Sequence, residues 1–392
     1  MTSILTNNAA MAALQTLRSL DASLEESQAR VSSGLRVGTA SDNAAYWSIA
    51  TTMRSDNGAL SAVQDALGLG AAKVDTAYAA MESAVDVVTE IKNKLVAARE
   101  TGVDRNKIQE EIQQLQDQLK SITDSASFSG ENWLKAAVSD ESATAGNLPT
   151  LVTVSKQVVG SFLRDTAGNV KVQSIDVDLD SANVLFDTSG NDQGIIDKNA
   201  LQSDVALVDG SYYAAVDATT VDDTYSENSD GLWTDGTNFY VKADENKWVA
   251  TDSTGAVTGA ALTTIAAVFA DGTSVYELDI SDMDTARTAF GDATLTDEDI
   301  IDLLISHVDT QLEAITSATA ALGSISMRIG MQEDFISKLT DSIDSGIGRL
   351  VDADMNEEST RLSALQTQQQ LGIQALSIAN TSSENILSLF RQ

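Results

Sequence analysis

The stretch LSAVQDALGLGAAKVDTAYAAMESAVDVVTEIKNKLVAA, residues 60–98, decides the fold of this chain. Apolar or small residues recur in it at alternating steps of three and four, which is the spacing of a coiled-coil seam. The seam consists of Leu60, Val63, Leu67, Gly70, Val74, Ala77, Met81, Ala84, Val88, Ile91, Leu95 and Ala98. At about 1.5 Å per residue, the spacing predicts one unbroken helix of roughly 58 Å.

Two further stripes extend this pattern. Residues 108–122 follow the short interval 101–104, so their helix is expected to run antiparallel beside the first. Residues 322–350 repeat the seam from the other half of the chain. The stripes are Ile108, Ile112, Leu115, Leu119 and Ile122, then Leu322, Ile325, Ile329, Gln332, Ile336, Leu339, Ile343, Gly346 and Leu350. They predict a mainly α fold in which long coiled-coil-like helices from both chain ends form an elongated rod.

The composition argues against several classes of function. Asp and Glu total 58 against 24 Lys and Arg, a net charge of −34, which would repel the phosphates of nucleic acid. Cysteine is absent and His307 is the only histidine, so thiolate, zinc and histidine-based catalysis are hard to assemble. No apolar run approaches the ~18 residues of a membrane span, and the N-terminus lacks a signal-peptide pattern. We expect no enzyme activity, no cofactor, no nucleic-acid partner and no membrane insertion.

Residues 141–299 differ from both flanks. They hold 28 acidic and 7 basic side chains, against 18 and 12 in residues 1–140 and 12 and 5 in residues 300–392. The dipeptide Asp235-Gly236 stands between two runs of alternating apolar residues, which is a hairpin signal. The segment is therefore predicted to be an acidic, mainly β insertion domain that is exposed at the surface.

The extreme ends of the chain carry incomplete stripes. A helix with a partial seam buries too little apolar area to offset an ordering entropy of about 1 to 2 kcal/mol per residue. We therefore expect both ends to fold on meeting partners. The candidate assembly residues are Ile4, Leu17, Leu24, Val31, Leu362, Leu365, Leu376, Ile386 and Phe390.

Four aspartates are the one candidate metal site. Asp176, Asp178, Asp180 and Asp187 occupy positions 1, 3, 5 and 12 of a calcium loop, but Ser181 replaces its glycine. A strand over 175–179 that turns its acids outward explains these residues better.

Three other patterns have structural explanations. The glycines of segment 68–73 favour close helix packing over a phosphate loop, because the third glycine is missing. His307 is interpreted as a surface or packing residue. The acid pairs at 110–111 and 357–358 are interpreted as solvated helix faces, because adjacent residues on a helix do not face each other.

Ordered motifs at both ends resemble the terminal signatures of the bacterial flagellins. SQARVSSGLR (27–36) and ASDNAA (40–45) carry the N-terminal signature, and DRNKIQEEI (104–112) with FSG (128–130) looks like the later N-terminal helix and its turn. RLVDAD (349–354) and LSLFR (387–391) are similar to the C-terminal signature. The resemblance covers roughly residues 1–135 and 300–392. Its signature residues here are Arg30, Gly34, Arg36, Asp42, Arg105, Arg349, Asp352 and Asp354.

The resemblance implies a structural subunit that polymerises into the flagellar filament used for swimming. It implies a terminal helical domain (1–42 with 355–392) in the filament core, a helical rod domain (43–140 with 300–354) and the surface insertion (141–299). The implied partners are further copies of the chain, other flagellins, cap and hook-junction proteins, an export chaperone and the type III export apparatus. The implied location is extracellular, in the flagellum, after secretion.

The departures from the family pattern also carry expectations. Tyr46 and Trp47 stand where many relatives have Gly-Leu, and two aromatics on a subunit surface should strengthen lateral packing. A stiff filament of the kind called complex is the expected result.

A second departure concerns the patch that the flagellin-sensing innate receptor of animals reads. By alignment of residues 88–96, Glu90, Lys92 and Lys94 fall where many relatives carry an Arg, a further basic residue and a Leu. Glu90 reverses a charge, and Lys94 places an ammonium where an apolar side chain packs. Weak receptor activation is expected.

Three other functions share part of this pattern. A hook-filament junction protein has the same terminal helices and differs in its low copy number. An enzyme carried on a filament scaffold is disfavoured by the single histidine and the lack of a His-Glu-x-x-His motif. A calcium-binding surface adhesin would respond to a chelator in the mass or melting of residues 141–299.

Overall fold

In a computed structural model of the chain, the described residues are 7–100, 102–140, 148–165, 169–216, 220–221, 225–228, 230–244, 247–264 and 267–389. The chain divides into two compact units. We call Met1–Gln64 with Asp334–Gln392 the terminal unit, and Asp65–Glu333 the central unit.

Helices come from both ends of the chain and strands from its middle. The helices in the described residues are α1 (Asn8–Ser33), α2 (Ala44–Ala98), α3 (Arg105–Ser125), α4 (Met283–Ala289), α5 (Asp297–Val351) and α6 (Met355–Leu389). The strands are β1 (Ser127–Phe128), β2 (Glu131–Asn132), β3 (Lys135–Ala136), β4 (Val154–Arg164), β5 (Val170–Leu179), β6 (Phe186–Asp187), β7 (Val205–Val208), β8 (Ser211–Ala214), β9 (Ser226–Glu227), β10 (Leu232–Thr234), β11 (Phe239–Asp244) and β12 (Lys247–Thr251). This order confirms the predicted fold class, mainly helical with a central β-containing region.

The predicted seam of α2 is buried. In the central unit, Leu67, Val74, Met81, Ile91 and Leu95 are each 0% exposed. Side chains three and four positions apart share one face of a helix, so burying that face removes the whole stripe from water. The seam prediction is confirmed.

The partners of α2 in the central unit are α3 and α5. Arg99 on α2 pairs with Asp302 on α5 at 2.8 Å, and the Ser326 hydroxyl donates to Asp75 at 2.8 Å. Residue numbers therefore rise on α2 as they fall on α5, which makes these helices antiparallel. Near the connection to α3, Lys94 lies 2.7 Å from Glu111, in agreement with the predicted helical hairpin.

The stripe of α5 drifts near its end. Ile336 is buried as predicted, but Ile347 and Val351 are the buried positions farther along, one residue after the predicted Gly346 and Leu350. A straight α-helix drifts by about 20° per heptad relative to a strict seven-residue repeat. A strict seven-residue repeat therefore places the buried positions one residue too early at this end of α5.

The strands of the central unit form small antiparallel sheets and one parallel pair. β4 and β5 form a long hairpin, and β9–β12 form one sheet in the order β12-β11-β10-β9. Asp235-Gly236 connects β10 to β11, so the predicted hairpin is confirmed. A second turn at Asp209-Gly210 has φ of 49° and 76°, the left-handed values that a two-residue hairpin turn requires.

The terminal unit begins with the helix α1. The side chain of Asn7 caps its start by accepting from the N–H of Ala10, and Gly34, at φ 73°, ends it. A left-handed residue at this position favours glycine because no Cβ collides with the backbone. In the described residues, no helix of either unit has the length and apolar character needed to cross a membrane.

Candidate functional site

The helices α1 and α6 form an antiparallel pair in the terminal unit. The Asn7 amide donates to the carbonyl oxygen of Ala379 at 3.1 Å, and the Gln369 amide donates to Asp21 at 2.6 Å. Between these bonds Leu17 lies against Gly372, where an added Cβ would come within 3.5 Å of the leucine. That distance is an ordinary van der Waals contact, so the packing of Leu17 at this position does not require glycine.

This pair leaves much of its apolar surface in contact with water. The predicted assembly residues Leu17, Leu24, Val31, Leu362, Leu365 and Leu376 are half-buried. Met11, Leu371 and Ile378 are 60%, 58% and 71% exposed. Ile4, Phe390 and the side chain of Ile386 lie outside the described residues. Both ends are helical in this single chain, and their dependence on partners for most of their burial stays a prediction.

A polar cluster fixes the register of the pair. Glu358 on α6 accepts from the Ser27 hydroxyl at 3.0 Å and from the Arg30 guanidinium at 3.2 Å, and Arg30 also pairs with Glu26 at 2.5 Å. Ser27 and Glu358 are 3% and 7% exposed. The interpretation of Glu358 as a solvated helix face is therefore wrong, because its helix position turns it onto α1, whereas Glu357 is exposed as expected.

The two halves of the signature meet in the terminal unit. The N–H groups of Arg36 and Val37 donate to the carbonyl oxygen of Val351 at 2.7 and 3.1 Å, and Ala353 donates to Gly34 at 2.9 Å. The Arg36 guanidinium donates to the carbonyl oxygen of Leu350 at 3.0 Å. The segment after α1 is thus attached to the connection between α5 and α6, so motifs far apart in sequence meet at this junction.

Several signature residues form turns and caps around this junction. The Asp42 carboxylate accepts from the N–H and hydroxyl of Thr39 and from the N–H of Gly38, and these bonds, the Thr39 N–H first, lower the pKa of Asp42. Asp354 caps α6 by accepting from the N–H of Asn356 at 2.9 Å. The backbone of Asp352 forms an isolated antiparallel β-bridge with that of Leu35. Arg349 is exposed.

Tyr46 and Trp47 lie near the start of α2 and are 42% and 37% exposed. They contribute apolar surface that the described part of the terminal unit leaves in contact with solvent. The lateral contacts expected of them stay a prediction.

Arg105, the signature residue at the start of α3, belongs to the central unit. Its guanidinium lies 2.6 Å from Asp297, and Arg287 approaches the same carboxylate at 2.7 Å. One aspartate therefore holds the starts of α3 and α5 and the helix α4 together. Arg287 could not be found from the sequence, since nothing in its local pattern connects it with Asp297.

The predicted receptor patch lies on α2 and is occupied by ion pairs. Lys92 lies 2.5 Å from Asp309 of α5. Lys94 lies 2.7 Å from Glu111 of α3 and 3.5 Å from Glu90. The hydrogen bond and charge of Glu111 raise the pKa of Lys94. Glu90 itself is exposed.

The four candidate calcium aspartates do not converge. Asp176 and Asp178 are exposed on β5, where Ile175, Val177 and Leu179 alternate inward. Asp187 is buried and accepts from the Ser139 hydroxyl at 2.6 Å. No cluster of three potential metal ligands occurs in the described residues. The strand β5, which turns its aspartates outward, is therefore the correct explanation of this part of the sequence.

The remaining candidates have packing roles. A Cβ added to Gly70 would come within 2.1 Å of Val158 on β4, so the glycine is needed for close approach. His307 forms a 3.0 Å hydrogen bond between its Nε2 and the carbonyl oxygen of Lys198. Burial lowers the pKa of His307 to about 4, which keeps the ring neutral at pH 7.

Comparison with known proteins adds the following similarities. The bacterial flagellin N-terminal helical region matches residues 4–139, and the bacterial flagellin C-terminal helical region matches residues 305–390. The chain is 58% identical to flagellin D of Rhizobium meliloti (strain 1021), 55% to flagellin A of Rhizobium meliloti and 47% to flagellin C of strain 1021. Each alignment covers 100% of this chain and 100% of the relative.

Proposed function

The chain belongs to the bacterial flagellin family, and from this premise we propose that it is the structural subunit of a flagellar filament. The observation that carries this proposal is the similarity over the full length to relatives that are themselves named flagellins. For the same reason the filament subunit is preferred to a hook-filament junction protein. Flagellins are structural proteins, and we propose that this one has no catalytic activity.

The terminal helices supply the proposed driving force for assembly. Exposed apolar side chains such as Leu371 and Ile378 gain about 25 cal/mol for each Å² that a neighbouring copy removes from water. If the contact joins different surfaces of successive copies and does not close into a ring, it repeats along a helix and produces a fibre. Assembly and completion of the burial of the chain ends then become one event.

Export and capping are proposed from family membership. The chain would be secreted through the type III export apparatus with a chaperone on its C-terminal helix and would polymerise beneath a cap outside the cell. Other flagellins of the same cell are proposed to co-assemble. Tyr46 and Trp47, exposed on α2, support lateral contacts and a stiff, complex type of filament.

Weak activation of the animal flagellin receptor is proposed for the patch on α2. Lys92 is paired with Asp309, and Lys94 is shared between Glu111 and Glu90, so both ammonium groups are already engaged with acids of this chain, while Glu90 is exposed. A partner that offers an acid to this patch would place like charges together, which costs binding free energy.

Electron microscopy of the purified protein after salt-induced polymerisation tests the proposed function. Long helical filaments are expected, and the same protein should dominate the material sheared from cells. Protein that stays monomeric in every salt condition, and that is scarce in sheared material, would point to the junction protein instead.

A further inference from the structure

A cavity of about 310 Å³ lies within the central unit, between α5 and the strand region. His307 and Thr310 of α5 form one side, and Tyr212, Phe269 and Phe290 contribute aromatic surface. Pockets of this size that combine apolar walls with a few polar groups are typical binding sites for small molecules. The role of a filament subunit does not account for it.

Lys198 lines this cavity and has no acidic partner among the residues that the structure describes. Its ammonium lies 5.7 Å from the centre of the Phe269 ring, and within the described part of the chain it forms no ion pair. Burial alone lowers the pKa of Lys198, because removal from water disfavours the charged form. Lys198 is half-buried, and an anion placed beside its ammonium would form a charge-assisted hydrogen bond, which is stronger than a bond between neutral groups.

The charge of the cavity is opposite to that of its surroundings. Residues 141–299 hold 28 acidic and 7 basic side chains, yet Lys198 and Lys247 both line the cavity, and none of its described lining residues is acidic. Lys247 donates to the carbonyl oxygens of Gln202 and Val205 at 3.2 and 3.0 Å, which holds a second positive charge at the wall. The charged side chains among the described lining residues are therefore both cationic.

The aromatic wall indicates the rest of the ligand. Tyr212 and Phe269 meet edge to face, with ring centres 5.5 Å apart and an interplanar angle of 70°. Further rings pack well against such a pair. Burial raises the pKa of Tyr212, so its ring carries no negative charge at pH 7 that would repel an anion.

We propose that this cavity binds a small aromatic carboxylate, whose carboxylate pairs with Lys198 and whose ring packs against Tyr212 and Phe269. A neutral aromatic molecule would leave Lys198 without a counter-ion. A dianion such as phosphate would bring a second charge against largely apolar walls, because Lys247 already donates to two carbonyl groups. A ligand with one negative charge and an otherwise apolar structure fits both the lysine and the apolar walls.

Titration of the purified full-length monomer with sodium benzoate tests the proposal. Binding is followed by saturation-transfer NMR and by calorimetry at constant ionic strength, with benzamide as the neutral ligand of the same shape. We expect saturable binding of benzoate, and binding of benzamide weaker by at least about tenfold, because bonds to charged groups are the stronger ones. This comparison uses the unaltered chain.

A matched pair of variants locates the site. Lys198→Met removes the ammonium, keeps most of the side-chain length and should weaken benzoate binding by at least about tenfold. Lys171→Met removes an exposed lysine of β5 and should leave binding unchanged. Thermal melting confirms that both variants fold. Absence of saturable benzoate binding, equal affinity for benzamide, or unchanged binding by the folded Lys198→Met variant would overturn the proposal.

Discussion

In the central unit, α2 buries Leu67, Met81 and Leu95 completely. In the terminal unit, Ser27 and Glu358 are the only buried residues in the described part of α1 and α6, and both are polar. Both regions carry apolar residues at helical spacing, yet one uses them within the chain and the other leaves many in contact with water. Helical spacing of apolar residues thus predicts that one face of a helix packs against something. Only the burial of those residues in the structure shows whether that partner belongs to the same chain.

This difference assigns separate tasks to the two regions. A helix whose stripe is buried by its own chain supports the fold of the monomer, whereas exposed apolar side chains gain burial only from other copies. Substitutions in the two regions should therefore affect different measurements.

Removal of a terminal helix is expected to have the largest effect. Deletion of residues 1–30 or 365–392 should abolish polymerisation, because it removes one member of the α1–α6 pair and its exposed stripe. Melting of the central unit, followed by circular dichroism, should be nearly unchanged. Filaments formed by either truncated protein, seen by electron microscopy, would contradict the proposed division of tasks.

Two leucine substitutions compare the regions at the level of one side chain. Leu95→Ala in the buried seam should lower the free energy of unfolding of the monomer by about 2 to 5 kcal/mol, because it opens a cavity. Leu371→Ala, at a side chain that is 58% exposed, should change monomer stability by at most ~0.5 kcal/mol and raise the critical concentration for assembly. Denaturant unfolding and sedimentation measure the two effects. If both substitutions destabilised the monomer equally, the proposed difference between the two regions would be wrong.

A pH dependence is expected of the central unit. Burial raises the pKa of Asp197 from its ordinary 3.8 to about 7. Because the folded state holds this proton more tightly than the unfolded state, the contribution of Asp197 is favourable at low pH and is lost as the pH rises from about 4 to 7.

Asp197→Asn tests this linkage. Its side-chain oxygen can still accept from the N–H of Asp187, a bond of 2.7 Å in the structure, while the buried charge is gone. The variant should be more stable than the unaltered chain at pH 8, by on the order of 4 kcal/mol, and similar to it at pH 4. Thermal melting at both pH values provides the measurement. A variant that is less stable at pH 8 would contradict the assignment.

The smallest effect on the molecule itself is expected at the receptor patch. Glu90→Arg with Lys94→Leu should leave assembly intact, because both side chains lie on the surface of α2, and should increase receptor activation. Purified monomers are titrated on receptor-expressing reporter cells, beside a flagellin that carries the Arg and the Leu. A half-maximal response of the unaltered chain at the same concentration as that flagellin would exclude the proposed weak activation.

The parts of the fold that follow a regular period could be predicted from the sequence. The seam from Leu67 to Leu95 and the hairpin at Asp235-Gly236 are local patterns with one physical explanation each. The burial of Glu358 could not be predicted, since it depends on the angle at which α6 meets Ser27 and Arg30. Local spacing contains no information about that angle.

The attachments between distant segments show the same limit. The bonds from Arg36 and Val37 to Val351 join residues more than 300 positions apart, and the cavity beside Lys198 forms only when α5 and the strand region meet. The signature motifs identified the residues involved at the first of these sites. For Lys198 the sequence offered no signal, because an isolated lysine in an acidic region is most simply explained as a solvated residue.

Hydrogen–deuterium exchange on the monomer and on the filament tests the central claim most directly. Amides of residues 74–95 should already be protected in the monomer, with little change on assembly, because their seam is buried within the chain. Amides of residues 8–33 and 355–381 should exchange fast in the monomer and gain at least about a hundredfold protection in the filament. Terminal amides that are as well protected in the monomer as those of α2, and that do not change on assembly, would contradict the account.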